Sequence, residues 1–360
     1  MPDTLSIKPM TVKEIEYVKN IPMLFILGKG RSGTSLLQNL LDANPAIIGG
    51  PESKFAVVFY PRFAHIKKWK ESDIIDFVEL LYIEPLFATL WHIDKNELTK
   101  ALLSVVEYAD YSFLCKMVYY QMRKGKENLL YISDKNPEYV LYLDTIVKMF
   151  PEAKFIHIVR EPRDNIYSQI TSFKVKNTVF RAYQWVKYNE IVEERKKKEP
   201  SKYLTVLYEK LVENTEGTMK SVCEFLQVPF VNEMVQNHGP EWLTTHQERK
   251  GIVESDKMIH RNLLKPISTS NIGKWKNKLD PYDRAVTEAI TADFARKVYG
   301  YEIDENKSIK ISSLALLKGK YKYNAWQKFT RLKAKSFRFN LFYSKLKRAI
   351  NSKIPIWEYF

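Results

Sequence analysis

Short, continuous apolar runs alternate along this chain with longer stretches of amphipathic period. The first run, Met23 to Leu27, has the length of a strand buried on both faces and is too short for a helix. In the stretch Thr34–Ala43 that follows, Leu36, Leu37, Leu40 and Leu41 recur at helical spacing, and Asn44-Pro45 marks the stop. Comparable runs stand at Leu129–Ser133, Lys154–Val159 and Tyr203–Leu207. The second run leads into Asp134-Lys135-Asn136-Pro137, where Asn136 is suited to cap a helix and Pro137 to open it. The third breaks at Arg160-Glu161-Pro162-Arg163-Asp164, with a helix expected from about Asn165. The fourth meets Tyr208-Glu209, with a helix expected over about Thr215–Leu226. Strands separated by helices predict βαβ units and a mostly parallel sheet. Residues 55–125 are aromatic-rich and read as helical without a regular βα rhythm.

Composition adds a second segment to this picture. The 360 residues carry a net charge of +15, so an anionic cofactor, a polyanion or an acidic membrane surface is a natural partner. Much of that charge lies late. Residues 305–360 hold fourteen Lys or Arg against only Glu305 and Glu358, interleaved with aromatics. We therefore divide the chain at about residue 304 into a main domain and a basic helical extension. The extension reads as a helix packed on the domain or on a second subunit of a homodimer, or as peripheral contact with an anionic membrane. No nucleic-acid partner is expected, because no binding motif accompanies the charge. Cys115 and Cys223 lie in apolar surroundings with no metal-ligand spacing, which predicts buried free thiols in a reducing compartment. The first twenty residues carry Asp3, Glu14 and Glu16 and no apolar run, so no leader is expected; no stretch reaches the roughly 18 apolar residues of a membrane span. The expected location is cytoplasmic, peripheral at the inner membrane surface if the extension docks there.

The chemistry gathers where the apolar runs end. Gly28 to Ser35 has the spacing of a phosphate-binding loop between a strand and a helix, but Thr34 stands where the triphosphate-handling version has lysine. Backbone N–H groups remain to cradle an anion at the helix N-terminus. In a parallel sheet, ligands bind beyond the carboxyl ends of the strands, so this loop, Lys135, Arg160 and Tyr208 should border one pocket. Arg160 offers a planar fork for a second phosphate, and Ser168, eight residues on, faces the same way. Two anion sites without the triphosphate lysine describe a nucleotide phosphorylated at two ends of its ribose. The expected fold is thus an α/β, P-loop-like three-layer sandwich: a central, mostly parallel sheet flanked by helices, with a helical insert at 55–125 and the basic extension. No acidic cluster with metal spacing stands near the loop, so no metal is expected.

These segments resemble a known family. Gly28-x-x-Arg31-Ser32-Gly33-Thr34-Ser35-Leu36-Leu37 is similar to the 5′-phosphosulfate loop of sulfotransferases that use 3′-phosphoadenosine 5′-phosphosulfate (PAPS), leaving 3′-phosphoadenosine 5′-phosphate (PAP). Phe155 to Ser168 resembles their 3′-phosphate motif, with Arg160 and Ser168 at matching spacing. The likeness spans about residues 22–300 and is nearest the tyrosylprotein-sulfotransferase branch with its bacterial relatives. It implies a transferase moving a sulfuryl group to an acceptor hydroxyl. By the same likeness the catalytic base falls on Glu52, twenty-one positions after Arg31, and the transition-state lysine on Lys135, with Arg31 assisting. The cofactor-binding set is Gly30, Arg31, Ser32, Gly33, Thr34, Ser35, Leu36, Arg160, Ser168 and Tyr208. Lys265 and Lys274 join it from a late loop reading Lys265-Pro266 through Lys274-Trp275. These residue types suit sulfuryl transfer, which like phosphoryl transfer needs positioning and charge neutralisation more than covalent work.

Several readings stay open at this level. His65 is a rival base to Glu52. The insert's Phe55, Phe59, Tyr60, Phe63, Trp69, Phe77, Tyr82, Phe87 and Trp91 are either core or the wall of an acceptor site. A wall would favour a sterol- or lipid-like hydroxyl, with a glycan next. A P-loop kinase or nucleoside-triphosphatase, and a non-catalytic cofactor-binding relative, are the competing functions.

Overall fold

The computed structural model describes residues 10–123, 125–173, 177–236, 266–303, 309–339 and 342–343. Their strands form one parallel sheet of β1 (Met23–Leu27), β2 (Ile47–Gly49), β3 (Tyr131–Lys135), β4 (Lys154–Val159) and β5 (Tyr203–Leu207). The order across the sheet is β2-β3-β1-β4-β5. β1 sits in the centre with all five residues buried, which explains its unbroken apolar run. Its alternation serves two cores. Met23, Phe25 and Leu27 face one layer of helices, while Leu24 and Ile26 face the other.

Helix Thr34–Asp42 buries Leu37, Leu40 and Leu41 in the second core, joined there by Met219, Val222 and Leu226 of helix Thr215–Leu226. The first core receives helix Val12–Asn20 and the aromatic-rich insert. This is the three-layer α/β sandwich expected, with a parallel sheet throughout. Two strands differ from expectation. β2, three residues long, is too short to be read from its pattern. β3 begins and ends two residues later than expected, which carries Lys135 onto the last position of the strand.

Seven of the insert's nine named aromatic residues are core, while Tyr60 and Tyr82 are half-buried. Phe55, Phe59, Phe63, Trp69, Phe77, Phe87 and Trp91 are buried and pack on one another, as in the stacked pair Phe87–Trp91 at 4.9 Å. Their burial accounts for them as packing residues. Cys115 and Cys223 are buried free thiols. Helix Ser313–Lys335 begins the basic extension and lies against helix Thr178–Lys198, with Trp326 edge-on to Phe180 at 5.6 Å.

Candidate active site

Because all five strands run in parallel, the residues that end or follow them share one edge of the sheet. Gly28 follows β1, Lys135 closes β3, Arg160 follows β4 and Tyr208 follows β5. The loop after β1 is tightly held. A Cβ on Gly33, whose φ is +96°, would lie 2.6 Å from the Tyr208 ring, so only glycine fits there. Asn165 Nδ2 donates to the Gly30 carbonyl at 3.1 Å and to Ser32 Oγ at 2.9 Å, pinning the loop to helix Pro162–Phe173. Gly33 caps helix Thr34–Asp42 without a side-chain bond, which leaves the first N–H groups of that helix for an anion.

Glu52 arrives from the turn after β2. Its carboxylate is ion-paired with the Lys135 ammonium, which also donates to Ser35 Oγ at 3.0 Å. The Lys135 side chain is almost wholly buried, whereas that of Glu52 is 30% exposed. The pair is therefore open to an incoming molecule on the glutamate side. The turn carrying Glu52 has a rigid backing. Gln38 Nε2 donates to the Gly50 carbonyl at 2.7 Å, and a Cβ on Gly50 would strike the Trp91 ring at 2.5 Å. Beneath it, the Tyr139 hydroxyl lies 2.8 Å from the Ser53 carbonyl and 2.5 Å from Asp134 Oδ2, and Tyr119 donates to the same carboxylate oxygen. Burial pushes the Asp134 carboxyl up to about 7, against the pull of the two tyrosine hydroxyls. Next to Glu52, Lys54 pairs with Glu138 at 2.6 Å. Burial alone would raise the Glu138 carboxyl, but Lys54, Lys333 and Lys29 hold it below its ordinary value.

A second group forms beyond β4. Arg160 lies with its guanidinium carbon 4.6 Å from the Tyr208 ring centre, and it donates to the carbonyls of Arg31 at 3.1 Å and Asn271 at 2.6 Å. Its Nε is buried with no hydrogen-bond partner among the described residues. Ser168 Oγ accepts from Arg31 Nε at 3.3 Å, which ties the first loop to this helix. The late loop is tied to the same place. Asp164 accepts from Gly273 N at 2.6 Å and Trp275 N at 3.0 Å, while Arg163 stacks 3.6 Å over Trp275. Lys274 Nζ bonds Asn271 Oδ1 at 2.6 Å and so reaches the neighbourhood of Arg160. Lys265 lies outside the described residues.

Most of the expected site residues are thus brought together: the loop from Gly30 through Leu36, with Glu52, Lys135, Arg160, Ser168, Tyr208 and Lys274. His65 is not among them. It lines a separate groove of about 480 Å³ with Arg62, Asp76, Phe337 and Arg338. Asp164, Asn165, Asn271 and the Asp134–Tyr119–Tyr139 cluster were not anticipated. A signal existed for the first two, as polar residues in the opening turn of a helix that follows a basic loop. Among the described residues, no group of three or more His, Cys, Asp or Glu is arranged to hold a metal ion.

A family model described as "Sulfotransferase family" matches residues 22–232, a span that takes in the loops after β1 and β4 and the Glu52 turn. The chain belongs to the sulfotransferase family. The enzyme class implied by the sequence, a PAPS-dependent sulfotransferase, is borne out. Relatives include protein-tyrosine sulfotransferase 1 of Danio rerio, 26% identical over 299 residues, covering 81% of this chain and 75% of that protein. The Homo sapiens protein of the same name is 27% identical over 306 residues, covering 81% and 72%. Among solved structures, the sulfotransferase domain from the curacin biosynthetic pathway superposes with a TM-score of 0.52 at 20% identity, covering 79% of this chain and 99% of that one. That likeness shows a shared fold with this sulfotransferase.

Proposed function

We propose that this sulfotransferase moves the sulfuryl group of PAPS to an acceptor hydroxyl with Glu52 as general base. The observation that carries the reading is the Glu52–Lys135 ion pair standing beside Ser35 of the phosphate loop. PAPS supplies the activated sulfuryl group. The residues present fit it, since the N-terminus of helix Thr34–Asp42 is suited to the 5′-phosphate and the Arg160 Nε, without a hydrogen-bond partner among the described residues, suits the 3′-phosphate together with Ser168. Glu52 Oε accepts the proton of the hydroxyl. Lys135 and Arg31 place positive charge where negative charge gathers in transfer. Tyr208 lies against the Arg160 guanidinium and walls the loop at Gly33.

For the acceptor, likeness to proteins named for protein tyrosine favours a tyrosine phenol. The insert's aromatics give no support to a sterol or lipid, because they are spent in the core. A lipid-like hydroxyl keeps one supporting observation, the exposed apolar and basic face of helix Ser313–Lys335. The deciding experiment is thermal unfolding with PAP and, separately, with ATP and Mg²⁺. A ligand at 100 times its Kd adds about 2.7 kcal/mol, a shift of several degrees. Stabilisation by PAP alone is expected; stabilisation by ATP with Mg²⁺ alone would overturn the reading in favour of a kinase.

A further inference from the structure

Helix Ser313–Lys335 has two unlike faces. The inner one is fixed to helix Thr178–Lys198 by Tyr323 and Trp326, which pack on Phe180 at 6.1 and 5.6 Å. Gly319 lets the two backbones approach, since a Cβ there would meet Val179 Cγ1 at 2.1 Å. The helix is therefore seated and its outer face is set. That face exposes large apolar side chains: Leu314 at 59%, Leu317 at 64%, Tyr321 at 77% and Leu332 at 60%. At 3.6 residues per turn these four fall within an arc of about 60°, one stripe along the helix. Lys318, Lys322 and Lys328, with Arg331 and Lys335, are exposed on and beside the stripe, and no Asp or Glu occurs from residue 306 to 357.

We propose that this face docks on an anionic lipid bilayer, with the four apolar side chains entering the headgroup boundary and the basic residues meeting lipid phosphate. The pattern of apolar residues flanked by Lys and Arg is what an interfacial helix requires. A second copy of the chain is disfavoured as the occupant, because two-fold pairing would set the same lysines against each other. Docking would also orient the enzyme. The charge of Lys333 acts on Glu138, the partner of Lys54, and Phe337 packs on Phe59 at 5.7 Å. The end of the helix thus adjoins the segment that bears Glu52. The docking itself stands independently of the sulfuryl-transfer reading.

The test is co-sedimentation of the full chain with phosphatidylcholine vesicles, with and without phosphatidylglycerol, at low and high salt. Two combined variants accompany it: Leu314→Ser/Leu317→Ser/Tyr321→Ser/Leu332→Ser, and Lys318→Glu/Lys322→Glu/Lys328→Glu. The wild type is expected to bind the anionic vesicles in a salt-sensitive way. Each variant should bind about tenfold less or weaker still, with melting temperature and response to PAP unchanged. The response to PAP reports on the cofactor reading separately. No wild-type binding to anionic vesicles would overturn the proposal, and so would binding that neither variant weakens. A wild-type dimer that the serine variant makes monomeric, without vesicle binding, would assign the face to a second copy. Should the serine variant fail to fold, the wild-type salt dependence and the charge variant still decide.

Discussion

Lys135 and Glu52 meet as an ion pair although they lie 83 residues apart, one at the end of β3 and the other in the turn after β2. The lysine is bonded to Ser35 as well, so base, cation and phosphate loop form one connected unit. If Glu52 accepts the acceptor's proton, Glu52→Gln keeps the shape and the tie to Lys135 but loses the proton acceptor. Turnover should fall by roughly 10²–10⁴ while PAP still raises the melting temperature. Unchanged turnover in a sulfate-transfer assay would remove Glu52 from the mechanism.

Arg160 has a buried Nε with no partner among the described residues, and its guanidinium lies over the Tyr208 ring. Arg160→Lys keeps the charge but not the fork. We expect the stabilisation by PAP to shrink strongly in this variant, with a smaller change in the response to adenosine 5′-phosphate. Calorimetric titration of both nucleotides checks this, and equal losses for the two would detach Arg160 from the 3′-phosphate.

Asp164 accepts two backbone N–H groups of the late loop. Asp164→Ala leaves both donors without their carboxylate, at a cost of about 1–3 kcal/mol for each one that stays buried. Since Lys274 and Asn271 belong to that loop, KM for PAPS should rise more than kcat falls. Steady-state kinetics at varied PAPS separates this from a purely structural defect, which would lower the melting temperature and leave KM alone.

The buried Asp134 carboxyl is pushed up to about 7, where an ordinary aspartate titrates near 3.9. The folded chain therefore keeps a proton that the unfolded chain releases. Its contribution to stability is fully present below about pH 4 and is lost as pH rises through about 7. Asp42, raised to about 7 by burial against the pull of Lys126, acts in the same direction. Melting temperature should accordingly fall between about pH 4 and pH 7, and Asp134→Asn should make that fall shallower. A variant with the wild-type slope would show that Asp134 is not the group responsible.

Much of the fold was legible because a central parallel strand has to be apolar on both faces, as Met23–Leu27 is. The site was legible wherever a polar residue ends such a run, as Lys135 and Arg160 do. β2 escaped because the three residues Ile47, Ile48 and Gly49 are too few to carry a period. The insert's aromatics could not be divided between core and pocket from order alone, since Phe55 and Trp91 meet only through the fold. The clamp formed by Asp164 was hidden for a different reason. Its partners are backbone N–H groups at Gly273 and Trp275, and a backbone donor leaves no mark on residue identity.

The strand order has a consequence for assembly. β1 is made early but must wait for both neighbours: Met23 pairs with Ile132, and Leu24 with Lys154. Closing such long loops is slow, and local helices form well before the sheet does. The phosphate loop hangs from β1, yet Tyr208 and Asn165, which shape it, are translated much later. A nascent chain that stops short of β4 carries the loop's residues without its anion site. Binding of PAP during synthesis would therefore mark the moment at which the whole sheet has closed.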